Sequence, residues 1–208
     1  MLRLLVLTLL TQCALWSAPP SRPIWLAYGD SKTQRYEWEP LLRTNVPALD
    51  APMWTSTAMW GALGRAGATV ASMKALVDGD LLYMPKTPAP DYLLFNLGVN
   101  DIGAGLPAEA VWEANVLYII DAFRVRYPNV KVYLMRPWYR AHLAEANTLA
   151  GWIDVIVAAR PGIAFVGPDE RVWMAGNDDG ATMTTDGTHY SAAGNAECAR
   201  QWQTVLGY

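Results

Sequence analysis

Apolar positions in this chain fall into short, nearly continuous blocks, separated by longer stretches where they recur every three or four residues. The first block is residues 24–28, closed by Gly29. A second is residues 91–97, stopped by Gly98, and a third is residues 130–135, ahead of Pro137. A weaker fourth, residues 163–166, precedes Gly167 and Pro168. Blocks of this length bounded by Gly and Pro read as strands. Continuous rather than alternating hydrophobicity marks strands of a parallel sheet covered on both faces.

Helical spacing fills the gaps. Pro107 suits the first turn of a helix on which Trp112, Val116, Ile119, Ile120 and Phe123 share one face, up to Pro128. Residues 141–159 read as helix, with Gly151 as a possible break, and residues 71–77 as a shorter one. Ser191 can cap a last helix reaching about Leu206. Strands alternating with helices predict an α/β fold, a single-domain three-layer α/β/α sandwich with a mostly parallel sheet. Residues 169–188 read as a long polar loop, and loops of that length are commonly functional.

The N-terminus adds a targeting expectation. Arg3, the apolar run of residues 4–10 and the small residues Ser17 and Ala18 have the layout of a secretory signal, with residues 1–18 as leader and residues 19–208 as the domain. A buried N-terminal helix or strand is the alternative. The expected location is therefore secreted or periplasmic, without stable membrane insertion, because the run is too short for a secure span. Cleavage would remove Cys13 and leave Cys198 without a disulfide partner, as core filler in the last helix. A 52% hydrophobic, 17% charged composition is that of a globular domain. A net charge of −3 without a basic cluster argues against nucleic acid as a partner. The chain carries no CxxC-type metal motif, so no metal or cofactor is expected.

Three polar clusters follow predicted strands or precede the last helix: Gly29-Asp30-Ser31, Gly98-Val99-Asn100-Asp101 and Asp186-Gly187-Thr188-His189. Ligands of open parallel sheets bind at the carboxyl ends of the strands, so these clusters predict one shared site. A serine hydroxyl is a weak nucleophile that needs an adjacent base, usually histidine. Only His142 and His189 are available, and His142, between Arg140 and Glu145, reads as part of a solvated helix face. Asp186, three residues before His189, can hold the imidazole nitrogen that faces away from the serine. The Asn100 amide can donate to an oxyanion. Taken singly, each cluster also fits an ordinary turn or cap.

Together, and in this order, the clusters resemble the GDSL/SGNH hydrolase family. Gly29-Asp30-Ser31 with Thr33 matches its first block and Gly64-Arg65-Ala66-Gly67-Ala68-Thr69 its second. Gly98-Val99-Asn100-Asp101 matches the third, and Asp186-Gly187-Thr188-His189 with Ser191 and Gly194 the last. The resemblance spans about residues 24–206 and implies an SGNH/flavodoxin-like sandwich. It implies Ser31 as nucleophile, His189 as base and Asp186 as its orienting acid. It further implies an oxyanion hole from the N–H groups of Ser31 and Gly67 and the Asn100 side chain, with Gly64 as the alternative to Gly67. Asp30 and Asp101 then support turns. Two departures stand out: Lys32 follows the serine where the family favours an apolar residue, and no Asn precedes Gly64. Lys32 is expected to point to solvent.

The resulting expectation is a metal-independent esterase acting on short acyl or acetyl esters, with a small-molecule or glycan ester as its substrate. With histidine as base, kcat/KM should rise with pH through about 6–7. A glycan-binding protein that retains the fold, and an acyltransferase using a sugar or alcohol in place of water, are the rivals. Ten tryptophans could favour sugar binding. Trp25, Trp112, Trp152 and Trp202 read as core; Trp38, Trp54, Trp60, Trp138 and Trp173 fall near loops, where packing is the preferred reading.

Overall fold

The first apolar block forms β1 (Trp25–Gly29), flanked by β2 (Ala62–Gly64) and β3 (Tyr92–Asn96); β4 (Lys131–Arg136) and β5 (Ala164–Asp169) complete one sheet. The computed structural model describes residues 23–35, 37–48, 62–84, 86–177 and 181–208. The expected leader, with Cys13, lies outside them, as do Trp54 and Trp60. All four strand pairings are parallel, in the order β2-β1-β3-β4-β5. Eight helices are described: α1 (Ser31–Gln34), α2 (Trp38–Asn45), α3 (Val70–Tyr83), α4 (Val99–Gly103), α5 (Glu109–Arg126), α6 (Leu143–Ala159), α7 (Glu170–Ala175) and α8 (Ala192–Leu206).

The strands are apolar throughout because both faces are covered. Leu26, Tyr28, Leu93, Phe95, Val132 and Leu134 point into a largely aliphatic core against α3, α5 and α6. Their neighbours Trp25, Ala27, Leu94 and Met135 point the other way, into an aromatic layer with Trp38, Trp138, Trp173 and Trp202. The period of two in side-chain direction splits one continuous apolar run between two cores. Trp112 and Trp152 are buried in the aliphatic core, so all described tryptophans pack inside.

The structure corrects several sequence expectations. Residues 169–175 are not loop: Asp169 ends β5 and caps α7 by accepting the Arg171 N–H at 3.1 Å, while Trp173 and Met174 bury beneath it. The helix expected over residues 71–77 runs on to Tyr83 behind a Thr69–Ser72 capping box, with Gly79 tolerated inside it. Gly151 does not interrupt α6. His142 stands at the N-cap position of α6, not within it, with Nδ1 3.5 Å from Glu145. Pro107 precedes α5 rather than opening it. β2 and α2 add elements that hydrophobic spacing missed, and Trp38 is the first residue of α2.

Candidate active site

With β1 paired to β2 on one side and to β3 on the other, chain direction across the sheet reverses between β1 and β3. That switch point opens a crevice at the strand carboxyl ends. Ser31 follows β1 and Asn100 follows β3, so the sheet order alone sets them on opposite lips of this crevice. Ser31 begins α1 directly after Asp30, whose carboxylate accepts the Lys32 N–H at 2.9 Å. The Asp30 N–H donates to Asn96 O and the Arg65 N–H to Gly29 O, each at 3.1 Å, fastening the end of β1 to both neighbours. Gly64 is required by close approach: a Cβ there would lie 2.0 Å from the Gln34 nitrogen of α1. Asp30 and Asp101 thus support turns, as expected from the sequence. Burial raises the Asp30 carboxyl to about 7 against the pull of Lys32, and raises Asp101 to about 6.

The third block is bound to the second. Asp101 accepts the Val70 N–H at 3.0 Å and so caps α3, and the Asn100 amide donates to Ala68 O at 2.9 Å. These bonds hold Asn100 beside the turn containing Gly67, which adopts φ +70°, a conformation suited to glycine.

The last block is a self-supporting turn. One Asp186 oxygen accepts the N–H groups of Thr188 at 3.0 Å and His189 at 2.8 Å. The other lies 2.6 Å from His189 Nδ1. Burial alone would raise Asp186, but the bonds from the His189 ring and from the two N–H groups outweigh it and hold the carboxyl at about 2. Ser191 caps α8 by accepting the Gly194 N–H at 3.2 Å, and its hydroxyl donates to Thr182 O at 2.7 Å. A Cβ at Gly194 would meet Met183 O at 2.0 Å, which explains the glycine of this block.

The first and last blocks meet. His189 Nε2 lies 2.9 Å from Ser31 Oγ across 158 residues of sequence. A carboxylate accepting from Nδ1–H leaves the Nε2 lone pair facing the hydroxyl, the geometry that proton abstraction from a serine requires. A cavity of about 610 Å3 opens beside Tyr190 and Ser191, lined also by Arg35, Glu37, Leu41 and Asn195. A separate groove of about 430 Å3 between α3 and α5 includes none of these residues.

One sequence expectation fails here. Lys32 does not reach solvent: its side chain is fully buried and paired with Glu170, which lies in the segment read as loop. Sequence reasoning also passed over Glu170 and Tyr190 as parts of the site's surroundings, because no spacing links residues that meet only through the fold.

Comparison with known proteins agrees with this architecture. Over residues 27–197 the sequence matches the GDSL-like lipase/acylhydrolase family. No curated protein sequence matches the chain. Among solved structures, a carbohydrate esterase family 3 protein from Talaromyces cellulolyticus is 18% identical, with a TM-score of 0.66 over 88% of this chain and 96% of its own. A mutant of an acetyl-xylooligosaccharide esterase from Geobacillus Stearmophilus is 16% identical, with a TM-score of 0.69 over 90% of this chain and 95% of its own. A lipolytic protein of the G-D-S-L family from Veillonella parvula is 12% identical, with a TM-score of 0.68 over 88% and 97%. At these identities the likeness concerns the fold, and the family match covers most of the sequence. The chain belongs to the GDSL-like lipase/acylhydrolase family, and its parallel α/β/α sandwich is the SGNH hydrolase fold.

Proposed function

We propose that this protein is a serine esterase that hydrolyses carboxylic esters of short acyl groups through an acyl-enzyme on Ser31. The observation that carries the proposal is the pair of contacts Ser31 Oγ to His189 Nε2 at 2.9 Å and His189 Nδ1 to Asp186 at 2.6 Å. Asp186, held at about 2, is ionised across the neutral range and fixes the tautomer with the proton on Nδ1. Ser31 Oγ attacks the ester carbonyl as its proton passes to Nε2. The imidazolium then protonates the departing alcohol. Water, deprotonated by the same nitrogen, releases the acid and restores Ser31.

The oxyanion formed in each half is held by the N–H groups of Ser31 and Gly67 and by the Asn100 amide. Asn100 spends one amide hydrogen on Ala68 O, which leaves the other for substrate. Gly64 is the less suitable donor, since it packs against the α1 backbone.

Acetyl esters of carbohydrates are the favoured substrates within this class. The cavity beside Tyr190 and Ser191, next to the turn that carries His189, offers the polar side chains of Arg35 and Glu37 to an alcohol with several hydroxyls. The names of the Talaromyces and Geobacillus proteins point the same way. Export belongs to the same reading, because polymeric substrates lie outside the cell and residues 1–18 have the layout of a leader.

The test is release of p-nitrophenol from esters of increasing acyl length, and of acetate from acetylated oligosaccharides, by the protein and its Ser31→Ala variant. Turnover that declines with acyl length and vanishes in Ser31→Ala is expected. Turnover that survives in the variant contradicts the proposal. Glycan binding by the folded protein without ester cleavage would favour the binding-protein reading instead.

A further inference from the structure

The residue after Ser31 and the residue after His189 are tied to one buried carboxylate. Lys32 Nζ lies 2.9 Å and 2.8 Å from the two oxygens of Glu170, and both side chains are 0% exposed. Glu170 also accepts the Trp138 N–H at 2.6 Å and the Tyr190 hydroxyl. Lys32 Nζ sits 4.9 Å over the Tyr190 ring. Four directed hydrogen bonds therefore converge on Glu170, and three of them, two from Lys32 and one from Tyr190, come from the turns that carry Ser31 and His189.

Stability is a poor account of this cluster. Removing two charges from water costs about what their attraction returns, and apolar residues of similar volume often serve as well or better. The surroundings would accept them, since Trp25, Trp38, Trp173, Trp202, Met135 and Cys198 form an apolar layer. What the ion pair supplies and apolar contact does not is a fixed geometry.

We infer that Lys32, Glu170 and Tyr190 form a positioning device that sets the Ser31 turn against the His189 turn and so maintains the hydrogen bond between them. Lys32 and Glu170 are fully buried away from substrate, and Tyr190, whose ring borders the cavity, joins the device through its hydroxyl bond to Glu170; each acts through Ser31 or His189. The kinetic consequence rests on the esterase reading above, whereas the geometric claim stands without it. A misplacement approaching 1 Å between reacting groups costs up to about 100-fold, so loss of the device lowers kcat by about 10- to 100-fold. KM changes little, because ground-state binding is untouched.

Two variants of the full chain test this. Lys32→Met/Glu170→Leu removes both charges together and leaves neither stranded. Tyr190→Phe keeps the ring under Lys32 and deletes one bond to Glu170. Three quantities are measured: thermal midpoint, kcat and KM on an acetyl ester, and the 15N shift of His189 Nε2 with and without Ser31→Ala. The change in that shift on Ser31→Ala reports the Ser31–His189 hydrogen bond and requires no turnover. With His142 the only other histidine, a His142→Gln background assigns the signal.

The double variant is expected to stay folded, to lose kcat by about 10- to 100-fold at similar KM, and to lose most of the Ser31-dependent shift. Tyr190→Phe changes in the same direction by less. A folded double variant with an undiminished Ser31-dependent shift overturns the inference, as does a lowered midpoint with kcat and shift unchanged. If the double variant does not fold, wild-type kcat and shift in Tyr190→Phe overturn it. If the wild-type protein cleaves no ester, the shift alone decides, which keeps a failure of the esterase reading separate from a failure of the positioning device.

Discussion

The two faces of the sheet are built from different materials. Under α3, α5 and α6 the core is aliphatic, with Val70, Val77, Val116, Ile119, Ile120 and Ile153 buried against Leu26, Leu93 and Val132. It too holds polar groups: Arg65 and the Tyr28 hydroxyl are tied to Asp80, with Arg65 Nη1 at 2.8 Å and the hydroxyl at 3.0 Å, and the buried Asp101 accepts the Val70 N–H. Under α2 and α8 the layer is aromatic: Trp38 stacks between Trp25 at 6.3 Å and Trp202 at 5.9 Å. It is also threaded with buried ionisable groups, namely Lys32, Glu170, Tyr190 and a Glu39 carboxyl that burial pushes well above its usual range. The lesson is a division of labour. The aliphatic face holds the larger cluster of buried apolar residues, and the aromatic face holds the turns that meet at Ser31 and His189.

The contrast would break first at the chemistry itself. Asp186→Asn is expected to lower kcat by about 10³–10⁴-fold while leaving the fold intact, because the amide favours the wrong imidazole tautomer. Activity within a fewfold of wild type in steady-state assays would remove Asp186 from the account. Asn100→Ala, which deletes one oxyanion donor, is expected to cost about 10²–10³-fold in kcat with KM nearly constant. An effect confined to KM would instead assign Asn100 to ground-state binding.

Ile119→Ala probes the other face. It opens a cavity in the aliphatic core and should cost about 2–5 kcal/mol of stability by denaturant titration. The kcat of the folded fraction should be unchanged. A large loss of kcat at full folding would show that both faces govern the site and that the division proposed here is wrong.

A further difference concerns pH. Burial raises Asp30 to about 7 and Asp101 to about 6, both above the ordinary aspartate value of about 3.9. The folded state therefore binds protons more tightly than the unfolded state, and these groups make stability fall as pH rises from about 4 to 7. Asp30→Asn retains an acceptor for the Lys32 N–H and removes one titration. The fall in thermal midpoint across that window should be shallower in the variant, and an identical slope would contradict the assignment.

The sheet and the residues of the candidate site were legible in the sequence for the same reason. Parallel strands buried on both faces leave continuous apolar runs, and their carboxyl ends placed Ser31 and Asn100 without reference to three dimensions. His189 was legible because its partner Asp186 is local. The elements that escaped have specific physical causes. β2 has three residues, too few to show a period. In α2, Pro40 suggests a break, yet it falls in the first turn, where an N–H lacks an intrahelical acceptor in any case. In β5, Pro168 suggested the end of the strand, but an edge strand tolerates it. The burial of Lys32 could not be read at all, since its partner lies 138 residues away in a segment whose polar residues resembled a loop.

The central claim is covalent chemistry at Ser31, and trapping tests it most directly. The protein is mixed with p-nitrophenyl acetate, quenched in acid during turnover, digested and analysed by mass spectrometry. The account predicts one acetyl group on the peptide containing Ser31, absent from Ser31→Ala and greatly reduced when His189 is replaced, because the same nitrogen takes the serine proton during acylation. Acetate release with no acetylated Ser31 under conditions that stabilise esters, or acetylation confined to another residue, would contradict it.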